Sequence, residues 1–204
     1  MTGPEPVALT TQDWLDALAG NGVSLQVIGD GYSNMDWQWL QQWAGILAQQ
    51  RPVGIRHWGE AEDMTYNLPI VLSGGDGPAL TVWSASRTES TIADARERLD
   101  RFQGEANDPN AVLISLGQAS EGEDVAAEMD ALLDELPDVP VLLTIAPEGL
   151  YSPGVGDDLS SWAEENSARV ALIDLRDTGI IDPSAEEWAL TFHTTLTDSA
   201  EQEG

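Results

Sequence analysis

Short runs of β-branched and large apolar residues alternate along this chain with segments of helical period, and that alternation restricts the fold more than any other feature. The runs lie at 23–28 (VSLQVI), 53–58 (VGIRHW), 79–83 (ALTVW), 111–116 (AVLISL), 139–145 (VPVLLTI) and 169–175 (RVALIDL). They are nearly continuous in apolar character, as strands buried on both faces of a mostly parallel sheet must be. Strands separated by helices predict an α/β fold, a three-layer α/β/α sandwich with helices on both faces of the sheet.

The helical segments carry their apolar residues three and four apart. Trp37, Leu40, Ala44 and Leu47 predict one core-facing stripe, and Ile92, Ala95, Leu99 and Phe102 a second. The second segment also pairs Asp94 with Arg98 and Glu97 with Arg101 in the favoured acid-first order. Val125, Met129, Leu132 and Leu136 predict a third helix, a fourth runs over 159–165, and Trp188, Phe192 and Leu196 a last one behind Pro183. Ahead of the first strand, Thr10 and Asp13 have capping-box spacing for a short helix through Trp14, Leu15 and Leu18, stopped by Gly20, Asn21 and Gly22. The expected organisation is an N-terminal packing segment (1–22), one α/β domain (23–197) and a solvated acidic tail (198–204). The stretch 72–78 (LSGGDGP) reads as a flexible connection.

Charge narrows the partners. Thirty-six acids against eight bases leave a net charge of −28, so a surface of about 9,300 Å² carries one excess negative charge per roughly 330 Å². Such a surface repels phosphate, which argues against nucleic acid and anionic membranes as partners, and it reads mainly as a solvated face that keeps the protein soluble. All eight bases are arginine, so lysine Schiff-base chemistry and lysine-dependent phosphate loops are excluded. Cysteine is absent, which removes disulfides, thiolate metal sites and cysteine nucleophiles. No apolar run reaches the ~18 residues of a membrane span. The opening MTGPEPVALTTQDW has neither a basic nor an apolar stretch of the signal-peptide kind, so no signal peptide is expected.

In open parallel sheets, ligands bind past the carboxyl ends of the strands. Four strand-end stretches stand out there: Gly29-Asp30-Gly31-Tyr32-Ser33, Ser84-Ala85-Ser86-Arg87-Thr88-Glu89, Gly117-Gln118-Ala119-Ser120, and Gly179-Ile180-Ile181-Asp182-Pro183-Ser184-Ala185. In order and spacing they resemble the four blocks of the SGNH (GDSL-type) hydrolases, esterases and deacetylases with a flavodoxin-like α/β/α sandwich, and the likeness runs from about residue 23 to 196. The resemblance implies that Gly31 stands where the family has its nucleophilic serine, Glu89 at its oxyanion glycine, Ala119 at its oxyanion asparagine with Ser120 following, Gly179 at the triad aspartate and Asp182 at the triad histidine. A glycine has no oxygen to acylate, a carboxylate facing it has no hydroxyl to deprotonate, and an alanine side chain donates nothing to an oxyanion. The positions Asp30, Gly31, Glu89, Ala119, Ser120, Gly179 and Asp182 therefore read as a vestigial active site, and no catalytic residue, cofactor or metal is assigned.

Other polar residues have quieter readings. Ser33 is a displaced nucleophile on the sharp reading and the cap of the following helix on the plain one. His57 and His193 are isolated imidazoles without a paired nucleophile, which favours structural roles. Asp30, Asp182 and Glu89 offer carboxylates for a hard cation, against the reading favoured here, in which Asp30 takes backbone hydrogen bonds and Asp182 caps the last helix. Eight tryptophans are many for this length, and Trp37, Trp39 and Trp43 spread around one helix, so some face the surface or an interface.

The functional expectation is a non-enzymatic SGNH-like structural or binding protein. Its Tyr-Ser and Asp-Trp after Gly-Asp are similar to SGNH-like domains of actinobacterial phage virion proteins. That resemblance implies a multi-copy capsid-decoration or tail component on the virion surface, assembled with other virion or scaffold proteins in the host cytoplasm and docking by an apolar tryptophan-bearing patch. The alternatives are a glycan or cell-envelope binding module using the old crevice, with Ser33, Trp39 and Trp58 as candidate contacts, and an active esterase or deacetylase.

Overall fold

A computed structural model describes residues 7–72, 74–106 and 108–203. The ends of the N-terminal segment (1–6) and of the tail (204), and Ser73 in the glycine-rich connection, lie outside the described residues. Among those described, the strands are β1 (Val23–Gly29), β2 (Val53–His57), β3 (Ile70–Leu72), β4 (Leu80–Ser86), β5 (Ala111–Ser115), β6 (Val141–Ile145) and β7 (Val170–Asp174). They form one sheet in the order β3-β2-β4-β1-β5-β6-β7, parallel throughout except where the edge strand β3 runs antiparallel to β2.

The helices are α1 (Thr11–Ala17), α2 (Trp39–Leu47), α3 (Ile92–Glu97), α4 (Leu99–Glu105), α5 (Val125–Glu135), α6 (Pro153–Glu165) and α7 (Ala185–Glu203). α1, α2 and α7 pack together on one face, and α3, α5 and α6 on the other. This is the expected three-layer α/β/α sandwich. Which helices share a face follows from the strand order: β1 connects leftward through α2 to β2, and β5 rightward through α5 to β6. Right-handed crossovers in opposite directions put their helices on opposite faces. The connections diverge around β1, which places a crevice at the carboxyl ends of β4, β1 and β5.

All six expected strands form. β3 was not among them, because three residues between Pro69 and a glycine-rich stretch leave no readable period. β4 runs on to Ser86 because Ser84 and Ser86, polar in sequence, are buried and bonded to each other, Oγ to Oγ, at 3.1 Å.

Several helix expectations need correction. Trp37 is not part of a core stripe: α2 starts two residues later, and Trp37 is 66% exposed. Trp39 and Trp43 face the core instead, where Trp39 stacks on Trp188 at 5.1 Å and both meet Phe192 edge-on. The second stripe is one core face on two helices. Arg98 breaks it by turning its guanidinium onto the Asp94 carbonyl at 3.0 Å, while its own N–H bonds Ala95 three residues back. The Asp94–Arg98 pair forms at 3.7 Å, but Arg101 pairs with Asp63, away from Glu97.

The N-terminal capping box is present, with Asp13 N–H donating to Thr10 Oγ1 at 3.0 Å. Its helix is more than an appendage. Trp14 is fully buried and donates its indole N–H to the Val112 carbonyl of β5 at 2.8 Å. Residues 198–203 are the last turns of α7 and not a solvated tail. Glu203 accepts from Thr11 N and Oγ1 at 2.8 and 2.6 Å, so the end of α7 caps the start of α1.

Candidate functional site

The crevice is assembled by one carboxylate. Asp30, directly after β1, is fully buried. One of its oxygens accepts from Tyr32 N at 3.0 Å and the other from Gln118 N at 3.1 Å, across the gap to the loop after β5. Burial drives its pKa up to about 6 even though these N–H groups, and the nearby Tyr151 phenol, favour the charged form. The plain reading of Asp30 is therefore the right one: it stitches two strand-end loops together. Among the described residues no group of three or more acids or histidines is placed to share a metal ion.

Gly31 follows at the mouth. A Cβ built there would lie 2.5 Å from Gln118 Oε1 and 3.4 Å from Thr88 Cα. The place of a side chain at this position is thus taken by the exposed Gln118. The Gly31 carbonyl is held by the Gln38 amide. Beside it, Tyr32 packs edge-on against Trp188 at 5.4 Å, and its hydroxyl donates to the Leu150 carbonyl at 3.4 Å. Its pKa is raised by burial and by the Asp30 and Asp182 carboxylates that face it.

The other block positions converge on the same mouth to different degrees. Glu89 is exposed with φ of 55°, a left-handed conformation suited to the glycine of the resembled block. Gly117 has φ of 156°, and a Cβ there would come within 2.6 Å of the Tyr151 ring, so only glycine fits. Ala119 is half-buried. Ser120 turns away: its Oγ accepts from Ile92 N at 3.2 Å, next to Glu123 on the same helix end. Gly179, at φ 74°, ends a short 3₁₀ turn after β7. Asp182, at φ 47°, places its carboxylate 3.4 Å from the Cβ position of Gly149. It does not cap the last helix. Ser184 does, accepting from Glu187 N at 3.2 Å while Glu187 accepts from Ser184 N at 2.9 Å.

Three proposed contacts do not reach the crevice surface. Ser33 is buried and neither attacks nor caps; its Oγ accepts the Trp39 indole N–H at 3.0 Å. Trp39 lies in the aromatic layer under α7. Trp58 is buried between Tyr66 and Phe102, with its N–H on Asp63 at 3.0 Å. Large rings are held inside by the area they remove from water, so none of the three is presented to a ligand. His57 is buried against Gln41 Oε1 at 3.0 Å, and His193 sits half-buried on α7 with its pKa lowered by burial. Gln118 and Tyr151 were missed as site residues. Their roles depend on contacts between loops 31, 118 and 151, for which sequence offers no signal.

No family model and no curated protein matches the sequence. Solved structures do. The lipase/acylhydrolase from Enterococcus faecalis superposes with a TM-score of 0.57 at 13% identity, over 88% of this chain and 96% of its own. A lipolytic protein of the G-D-S-L family from Desulfitobacterium hafniense gives 0.56 at 14%, over 86% and 99%. The psychrotrophic esterase EstA from Pseudoalteromonas sp. gives 0.53 at 18%, over 88% and 97%. The fold is that of the SGNH hydrolases. At these identities the likeness is one of architecture, and the SGNH frame is what the strand-end blocks led one to expect.

Proposed function

We propose that this SGNH-fold chain is a non-enzymatic docking or structural protein. The observation that carries the reading is the glycine at the crevice mouth: the seat that the resembled block gives to an attacking serine holds Gly31, which has no oxygen, with the exposed Gln118 side chain lying over it. Three further features support it. Asp182 brings a carboxylate and not an imidazole to the same mouth. The Gln118 N–H, a candidate oxyanion donor, is already spent on Asp30. Ala119 offers no side-chain donor.

Docking would draw on exposed apolar side chains. Of the eight tryptophans Trp37 stands furthest into solvent, and Leu68 and Val71 are exposed with it. Asp36 and Ile70, their chain neighbours, line one cavity with Leu68. Exposed apolar side chains, a tryptophan among them, on an otherwise acidic protein fit assembly on a partner surface. The assignment to a phage virion, on the capsid or tail, is the finer form of this proposal and rests on the sequence resemblance.

The test is turnover of p-nitrophenyl acetate. Wild type and Gly31→Ser are both expected to match the uncatalysed rate, since a serine alone regains neither base nor donors. Saturable turnover by wild type overturns the proposal in favour of the activity named for the similar structures. Copurification with intact particles at fixed stoichiometry tests the virion form.

A further inference from the structure

Among the described residues Asp30 is the one buried acid. It has no cation beside it. Each of the eight arginines is bonded to another carboxylate or to a backbone carbonyl, and neither histidine pairs with it. A carboxylate taken out of water without a counter-ion is held by hydrogen bonds alone. Here those bonds come from two separate loops, Tyr32 N–H of the turn after β1 and Gln118 N–H of the loop after β5. Among the described residues neither N–H has another acceptor. The two loops are therefore clasped across the crevice by a group whose charge the surroundings do not balance.

The titratable groups that face Asp30 are two phenols, Tyr32 on its own loop and Tyr151 on the loop after β6, and Asp182, on the loop ahead of α7, bears on Tyr32. Both phenols are pushed up by burial and by the Asp30 charge, so they stay neutral while Asp30 titrates. Tyr151 Oη also makes no hydrogen bond of its own. A protonated Asp30 carboxyl thus has an acceptor for its O–H beside it and keeps its carbonyl oxygen for a backbone N–H. Parting the loops hydrates the carboxyl and returns it from about 6 to its ordinary 3.8. Between these values the closed form holds a proton that the open form releases, so acid favours closure and rising pH favours opening.

We infer that Asp30 is a proton-linked latch on the crevice, closing the loops after β1 and β5 on each other in mild acid and loosening them, with release of the Gln118 N–H, as its carboxylate charges toward neutral pH. The loops can move by local opening, since beyond the Asp30 side chain they are joined only where Asp30 N–H meets the Ser115 carbonyl at 3.2 Å, at the very end of β5. The latch adds a condition on when the mouth opens and does not depend on whether the crevice docks a partner or turns over an ester.

Amide hydrogen exchange of the whole chain, followed by NMR from pH 4.5 to 7.5 and corrected for intrinsic rates, tests the inference. The Tyr32 and Gln118 amides report the latch because Asp30 is their acceptor. They are expected to exchange faster than Leu113 within β5, by local opening, and to lose about 25-fold in protection over the interval, levelling off above about pH 6.5. Asp30→Asn, which keeps the shape and cannot titrate, should change by less than about twofold. The inference is overturned if wild-type protection at these amides is constant or rises with pH, if they exchange only at the Leu113 rate and so open only with the whole domain, or if Asp30→Asn shows the same loss. Should that variant fail to fold, the wild-type Asp30 carboxyl carbon shift decides: a midpoint near 6 supports the latch, and one near 3.8 refutes it.

Discussion

The aromatic layer beneath α7 and the strand-end crevice touch at Tyr32 and Trp188 but are built on opposite rules. In the layer, Trp14, Trp39, Trp43, Trp188 and Phe192 are buried whole, and their rings meet at centroid distances of 5.1 to 6.4 Å. Shape and area hold it together. In the crevice the residues are small, Gly29, Gly31 and Gly117, and the order comes from two backbone N–H groups on one buried carboxylate. The contrast teaches where this frame keeps its stability. Side chains at the mouth are expected to tolerate change where they meet only exposed neighbours, as at Gly31, and the tryptophan layer to tolerate little.

Trp39→Ala attacks the layer directly. It should cost about 3–5 kcal/mol, lowering the thermal midpoint by roughly 6–20 °C in calorimetry. A fall of only a few degrees would mean that the layer is not the keystone. Gly117→Ala is the crevice change expected to hurt most, because it strains a conformation glycine alone adopts readily and drives a methyl into the Tyr151 ring; about 2–4 kcal/mol follows. Chemical denaturation of the variant measures it.

The third prediction concerns pH. The Asp30 carboxyl titrates at about 6 in the folded protein against the ordinary 3.8. Between these values the folded state holds a proton that the unfolded state has released, so this group's contribution to stability grows as pH falls from 7 to 5. Relative to Asp30→Asn, the wild type should gain about 1 kcal/mol over that interval in urea titrations; a constant difference would refute the raised pKa. The smallest effect is Gly31→Ser. Its new Cβ meets only the end of the flexible Gln118 side chain and then ordinary contact at Thr88, so the unfolding free energy should change by less than about 0.5 kcal/mol. A large loss there would place Gln118 among the rigid parts of the molecule.

The same division decides what could be read from sequence. Strands buried on both faces announce themselves as apolar runs, and all six expected ones form. The stripe beginning at Trp37 failed because three tryptophans at 37, 39 and 43 permit two phases of the helix, and only packing against Trp188 and Phe192 selects the one that turns Trp39 inward. Gly31, Glu89 and Asp182 sit at strand ends that the sequence marks, since the topology of an open sheet brings those ends together. What sequence did not disclose is how the ends touch. Gln118 over Gly31, Tyr151 over Gly117 and Ser184 in place of Asp182 at the helix cap are fixed by distances between loops more than thirty residues apart or by a two-residue shift in phase. The cavity at Asn34 and His57 was invisible for the same reason, being formed by the loop before α2, the end of β2 and an edge strand too short to announce itself.

The clasp between Glu203 and Thr11 has a practical corollary. α7 leaves the crevice rim near Asp182 and spans about 28 Å before it reaches α1, so residues 7 and 203 emerge at one corner remote from the mouth. A fluorophore or tether attached at residue 7 or 203 would hold the molecule by that corner and leave the strand-end openings facing the solvent, the orientation that a captured-partner or surface-binding measurement requires.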